Sequence, residues 1–483
     1  RNPLEQPPDL PDFFKDRPVT MHPWRITITV IRADRYVSGP AVTKQTLNAA
    51  ISGESIMTCA GMQMEGELEE YDIVVAGGGP SGLFCALCGS KAGNSVLVLE
   101  KMPSCGKKLL VSGTGQCNIT HDGEISLFLT HYGAHGRFAK PALMQFSNHD
   151  LVRFFHARGL EMVTEPGGKV FPSTRRAGDV LAVLLRECAC SGVDIHCNEP
   201  VLGVAVSRGG FEVKTKRTVY FSPHFVIATG GATYPATGSS GDGYTLAASL
   251  GHRITEIGPA LSAVRVKEFP YPDLAGMSFE GLHITVMRQE KHICRNKGDL
   301  IFTHHGLSGP GVLDISRYIR PGDRIMVSFA PSREAEEAAK AVHAALVGGG
   351  RVQVAKVLRG LGLPDRLSKG LLDLAGVAGG ATCAHLGKDA RNAIALRVSS
   401  HPFEVEALSG FDRAMVTRGG VDLDEVNPKT MESRLHRGLY FAGEVLDIDG
   451  DTGGYNLQFA CASGVLAGRS IAGVAKKKRT SMT

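Results

Sequence analysis

Several things are scarce in this 483-residue chain, and each absence removes a class of function. It has one tryptophan, Trp24, and no basic stretch interleaved with aromatics; the only dense basic run is Lys476 to Arg479 at the end. A nucleic-acid face needs such a cluster, so nucleic acid is not an expected partner and the run reads as a solvated tail over 476–483. No second CxxC accompanies Cys85 and Cys88, so four zinc ligands cannot be assembled and the pair reads as core packing. The remaining cysteines make no disulfide framework in a chain this long, which points to a reducing, cytoplasmic compartment. The opening RNPLEQPPDLPDFF carries acids and prolines where a secretory leader has a basic start and an apolar stretch. Residues 73–90 carry no charge, but GGGP at 77–80 breaks them into a buried strand, a turn and a helix, so no membrane span is expected. There is no internal repeat.

What is present is ordinary for a globular protein: 43% hydrophobic, 21% charged and a formal charge of +5. The length predicts two or three lobes. Residues 1–66 differ from the rest, with prolines to Pro23, a short strand-like run at 26–31, and Met57, Met62 and Met64 just before the first strong strand. They are an N-terminal extension whose role the sequence leaves open. From Tyr71 the pattern is strand, glycine turn, helix, strand, the opening of a doubly wound parallel α/β sheet. Helical spacing follows at 141–158 and 177–190, then short strands at 193–197, 201–207, 211–215 and 218–221, and a return to the sheet at 225–231. This first part of the nucleotide domain, 67–258, precedes a β-rich insert at 259–331 and a helical cap at 332–411. The domain resumes over 412–475, with a strand at 438–443 and a helix from Tyr455. The insert is a candidate wall for the active site.

The chemistry starts at Gly77-Gly-Gly79-Pro80-Ser81-Gly82, a GxGxxG set between strand and helix, with Glu100 ending the next strand. Gly77 permits the turn, Gly79 lets the backbone approach a pyrophosphate, Gly82 lets helix and strand pack, and Glu100 accepts from ribose hydroxyls. The helix N-terminus adds amide donors. A second glycine turn far down the chain, Gly443-Glu444 with Gly453-Gly-Tyr-Asn456, favours the longer FAD over NAD, because its amides can face charge developing on a reduced flavin. Between Gly231 and Gly438 no second strand-GxGxxG-helix pattern occurs. NAD(P)H, if it serves as reductant, is therefore expected to bind transiently at the flavin face.

The chain resembles the bacterial flavoprotein family of BaiN-type reductases and L-aminoacetone oxidase, and more distantly the fumarate reductase flavoproteins. The resembling stretches are GGGPSG at 77–82, GKKLLVSGTGQCNIT at 106–120, ATGGATYP at 228–235 with TGSSGDG at 237–243, FTHHGLSGP at 302–310, NPKTME at 427–432 and residues 438–458. The resemblance implies a non-covalent FAD in a discontinuous Rossmann-like domain of the glutathione reductase type, with an inserted β-rich domain and a small helical cap. It implies FAD contacts at Gly77, Gly79, Pro80, Ser81, Gly82, Glu100, Lys101, Lys108, Ser112, Gly113, Gly230, Gly443, Glu444, Asn456, Leu457 and Gln458. Thr114 and Gln116 stand where the family's SGGGRCN segment has glycine and arginine, a departure that bears on the anion-binding role of that arginine and on the substrate tied to it.

For catalysis the candidates are Cys117, a redox thiol or a small buried residue; His304 and His305, proton donors to substrate or structural histidines; and Tyr455, which with Tyr234 stacks on the ring or fills core. Asp447-x-Asp449-x-Asp451 mimics the start of a calcium loop, but Thr452 replaces the required glycine and Gln458 the bidentate glutamate, so no metal is expected. The sequence thus predicts a FAD-dependent oxidoreductase passing a hydride between flavin N5 and a small-molecule substrate, an amine or an enone. The alternatives are a tRNA-modification-type flavoprotein and a flavin-binding scaffold without turnover. Oligomeric state is not legible.

Overall fold

A computed structural model of the chain describes residues 68–330 and 334–480, with side chains to residue 474. The chain divides into two units, Arg1–Gly66 and Glu67–Thr483. The expected N-terminal extension, with Trp24 and the strand-like run, lies outside the described residues.

The centre is a five-stranded parallel sheet in the order Leu439–Phe441, His224–Ile227, Ile73–Ala76, Val96–Glu100, Val193–Cys197. Its first strand reads IVVA and its second VLVLE, and every residue of both is buried. Continuous apolar runs of this kind mark strands covered on both faces. The chain leaves Ile73–Ala76 toward Val96–Glu100 on one side and later returns on the other, so the strand order reverses at the end of the first strand. A crevice opens at such a switch point.

The helix Pro80–Gly89 lies against the last helix, Tyr455–Thr480. Close approach is possible because a Cβ on Gly468 would strike the Cys85 carbonyl and come within 2.7 Å of the Cys88 Cβ. Cys85 and Cys88 are wholly buried in this contact. Over Tyr455–Val474 the last helix is long and apolar enough to cross a bilayer, but 67% of that window is buried in the fold, as befits a core helix.

Where the sequence predicts one helix over 141–158 there are two, Gly136–Gln145 and Asn148–His156. Ser147 starts the second with a capping box: its hydroxyl accepts from the Asp150 amide while the Asp150 carboxylate accepts from the Ser147 amide. That local exchange satisfies donors better than a continuous helix would.

The insert is a closed six-stranded barrel: Val264–Val266, Gly306–Ser308, Lys291–Thr303, Ser278–Arg288, Arg324–Ser328 and His401–Leu408. The last strand follows the helices Ala335–Gly348, Val354–Gly360, Asp365–Leu374 and Lys388–Ser399, so it belongs to the barrel and not to the helical cap in which the spacing over 332–411 placed it. The barrel and helices share one apolar core, with Phe302 buried at its centre and stacked on Tyr271 at 5.3 Å between ring centroids. The chain enters and leaves the insert through an antiparallel pair, Gly258–Ala260 with Val416–Arg418.

Candidate functional site

A cavity of about 700 Å³ extends from the switch point to the insert. That size suits a cofactor pocket, for which ~300–1,000 Å³ is usual. Its floor is the first glycine turn. Gly77 has φ +111°, and a Cβ there would come within 2.8 Å of the Ala228 carbonyl carbon, so only glycine closes this turn. At Gly79 a Cβ would meet nothing within 4 Å, which leaves open space above the helix N-terminus.

Of the residues expected to hold the cofactor, Gly77, Gly79, Pro80, Ser81, Glu100, Lys101, Lys108, Ser112, Gly113, Gly230, Gly443, Glu444, Asn456 and Leu457 all line this cavity. Gly82 stands behind it, where a Cβ would strike the Gly77 carbonyl, so its part is to let helix and turn pack. Gln458 is fully buried, accepting from the Thr120 hydroxyl at 2.8 Å and donating to the Phe146 carbonyl at 2.8 Å. It holds the last helix and does not face the cavity.

At one end Glu100 accepts from the amides of Gly78 at 2.9 Å and Met102 at 2.8 Å. Burial pushes its carboxyl above the usual range, and those two amides pull it back. Lys101 Nζ is held by Asp242 at 2.9 Å and Ser240 at 2.6 Å. Lys108 Nζ pairs with Glu444 at 2.7 Å and donates to Thr233 at 2.7 Å, while the Thr417 amide donates to Glu444 at 2.9 Å. The two residues therefore bind each other and tie three cavity loops together, instead of presenting separate charges.

The lining also includes Ser112, Gly113, Thr114, Gln116 and Asn118, residues 451–454, and part of the insert. Leu261, Pro310, Leu313, Met415 and Val416 supply an apolar wall. Thr114 and Gln116 line it too, with Thr114 in the left-handed region at φ +56°, a costly conformation for a β-branched residue.

The expected catalytic residues lie elsewhere. His304 and His305 are exposed at the tip of the hairpin between Lys291–Thr303 and Gly306–Ser308, outside the cavity wall, because tight pairing of those strands turns the tip to solvent. Cys117 is wholly buried and does not line the cavity; burial pushes its thiol up to about 12, so it is not a thiolate near neutral pH. Tyr455 is buried outside the cavity, stacked between His131 at 4.0 Å and His121 at 5.2 Å. Tyr234 does line the cavity.

The sequence reading missed Asp451, which lines the cavity with its oxygens on Arg317 and His131, at 2.5 Å and 2.9 Å. Its spacing with Asp447 and Asp449 was visible only as a false calcium loop. In place of a cation, Arg317 lies between Asp449 and Asp451. Among the described residues no group of three or more His, Cys, Asp or Glu could hold a metal.

Residues 71–470 match the HI0933-like protein Rossmann domain family. The chain belongs to this family. It is 32% identical over 409 residues to the 3-dehydro-bile acid delta(4,6)-reductase of Clostridium scindens, covering 83% of this chain and 98% of that protein. It is 29% identical over 412 residues to the ribosomal RNA dihydrouridine synthase of Escherichia coli, covering 83% and 100%. The protein of the same name from Haemophilus influenzae is 30% identical over 409 residues, covering 82% and 98%.

As an HI0933-like protein the chain is a FAD-dependent oxidoreductase. The cavity fits FAD: one continuous lining joins the first glycine turn and Glu100 to the second turn at Gly453 and Gly454, and the open space at Gly79 lets a pyrophosphate approach the backbone. The first glycine turn would hold the pyrophosphate and Glu100 the adenosine ribose of such a cofactor.

Proposed function

We propose that this protein reduces a carbon-carbon double bond conjugated to a carbonyl in an organic substrate. One observation carries the reading: Leu261, Leu313 and Val416 form a buried apolar cluster that also lines the cavity, a surface suited to a flat conjugated substrate lying against the flavin. Bound FAD, once reduced, supplies the hydride from N5. The chain's own residues bind, orient and exclude water. Gly77 to Ser81 and Glu100 would hold the adenosine and pyrophosphate, Lys108 and Glu444 lock the cavity loops to each other, and Leu261, Leu313 and Val416 would shield the reacting carbon from solvent.

The relatives support the enone side of the sequence reading over the amine side. The names of the bile acid reductase and the dihydrouridine synthases both describe saturation of a double bond beside a carbonyl. They also make uridine in RNA a second substrate to test, against the expectation that nucleic acid is not a partner. NAD(P)H is proposed as the reductant at the same face, with ping-pong kinetics.

The test is anaerobic. Photoreduced holoenzyme is mixed with a 3-oxo-4,6-diene steroid and, separately, with a uridine-bearing RNA hairpin, while oxidised holoenzyme is mixed with primary amines. Reoxidation of the flavin by the steroid supports the proposal, and reoxidation by RNA supports it with uridine as substrate. Bleaching by amines, with neither unsaturated carbonyl active, would overturn it.

A further inference from the structure

The insert reaches the second glycine turn through two side chains that leave the barrel three residues apart. Asp314 accepts from the Thr452 amide at 2.7 Å. Arg317, only 6% exposed, donates from Nη1 to the Asp449 carbonyl at 2.9 Å, pairs through Nη2 with Asp451 Oδ1 at 2.5 Å, and sets Nε 3.3 Å from Asp449 Oδ2. On the other side of the loop His131 Nδ1 holds Asp451 Oδ2 at 2.9 Å, and Thr255 donates to Asp447 at 2.9 Å. Within the loop, Asn456 bonds Gly450 from both ends of its amide, at 2.7 Å and 2.8 Å. Asp451, Thr452, Gly453 and Gly454 then form part of the cavity lining.

This arrangement is more than a surface ion pair. Asp449 is 5% exposed, and burial raises its carboxyl while the Arg317 guanidinium opposes the rise. The planar guanidinium bonds two acceptors on two residues from separate nitrogens, in a fixed fork that the single nitrogen of an ammonium does not reproduce. We propose that Arg317 is a positioning residue for the flavin: through this side chain the insert holds residues 449–454 against the cofactor and sets how readily the bound flavin accepts electrons. The inference rests on the ring lying at the insert end of the cavity, and not on the identity of the substrate. Arg317 offsets carboxylate charge beside a group that gains negative charge on reduction, so its loss should disfavour the reduced form.

The experiment measures the midpoint potential of the bound flavin in purified holoenzyme, with dye equilibration and FAD content determined alongside. Arg317→Met should shift the potential to a more negative value, and Arg317→Lys should shift it less. Asp451→Asn removes a negative charge from the same clamp and should shift it to a more positive value. A loop that is merely loosened would move Arg317→Met and Asp451→Asn in the same direction, and that result would overturn the proposal, as would unchanged potentials at full FAD content. If Arg317→Met does not hold FAD, the opposed signs of Arg317→Lys and Asp451→Asn decide the matter. Because no substrate is added, failure here is separable from failure of the double-bond reduction.

Discussion

The nucleotide lobe and the insert are built on opposite principles. The inner sheet strands of the lobe, Ile73–Ala76 and Val96–Glu100, are short, parallel and buried on both faces, and the function of the turn after Ile73–Ala76 depends on backbone: Gly77, Gly79 and Gly82 act by what they lack. The barrel has longer strands in Ser278–Arg288, Lys291–Thr303 and His401–Leu408; in Ser278–Arg288 buried and more exposed residues take turns, and its stability comes from side chains meeting in one core. Changes in the first region should therefore act on cofactor retention, and changes in the second on folding free energy.

The sharpest way to break that contrast is Phe302→Ala. It removes the ring at the centre of the insert core and should cost about 3–5 kcal/mol in urea unfolding, while the folded fraction still binds FAD with unchanged affinity. A parallel fall in affinity would show that the two regions are not separable in this way.

Gly82→Ala should behave in the converse manner. Its methyl group would strike the Gly77 carbonyl, so the protein is expected to purify largely without FAD, with a stability loss on the order of 1–3 kcal/mol. Absorbance at the flavin band relative to protein measures this, and a fully yellow variant would count against the role given to the turn.

A smaller effect is expected at Glu100. Its carboxylate already accepts two amides, so Glu100→Gln should weaken FAD binding by roughly 1.5–3 kcal/mol, read as a change in the FAD dissociation constant. Unchanged affinity would remove Glu100 from the site.

Asp314 tests the seam between the regions. Burial raises its carboxyl to about 6, so the folded state holds this proton more tightly than the unfolded chain. Stability from this group is then greatest at low pH and declines as pH rises from about 4 through about 6. Asp314→Asn should flatten that decline and stabilise the protein near pH 8 by on the order of 1–2 kcal/mol. Unfolding curves at pH 4.5 and 8 would check it, and a variant that is less stable at pH 8 would show that the charge is needed there.

The difference between the regions also explains what the sequence disclosed. Gly77 to Gly82 and Glu100 were legible because their spacing follows from one local unit. The capping box at Ser147 and Asp150 was visible in principle but lay inside a stretch with continuous helical spacing. His401–Leu408 alternates clearly, with every second residue buried at its start, yet its partners in the barrel lie far upstream and it was absorbed into the helical run before it. Lys108 and Glu444 were both named as cofactor contacts, but their pairing across 336 residues could not be read from either motif. Arg317 and Asp451, 134 residues apart, carried no shared signal at all. Local backbone requirements leave marks in sequence; charge partners brought together by the fold do not.

The most direct test of the account is a crystal structure of the holoenzyme with FAD bound. The account predicts the adenosine at Glu100, the pyrophosphate over Gly79 and Ser81, and the flavin ring between residues 451–454 and the apolar wall of Leu261, Leu313 and Met415. A ring placed away from the insert, or adenosine at that wall, would contradict it.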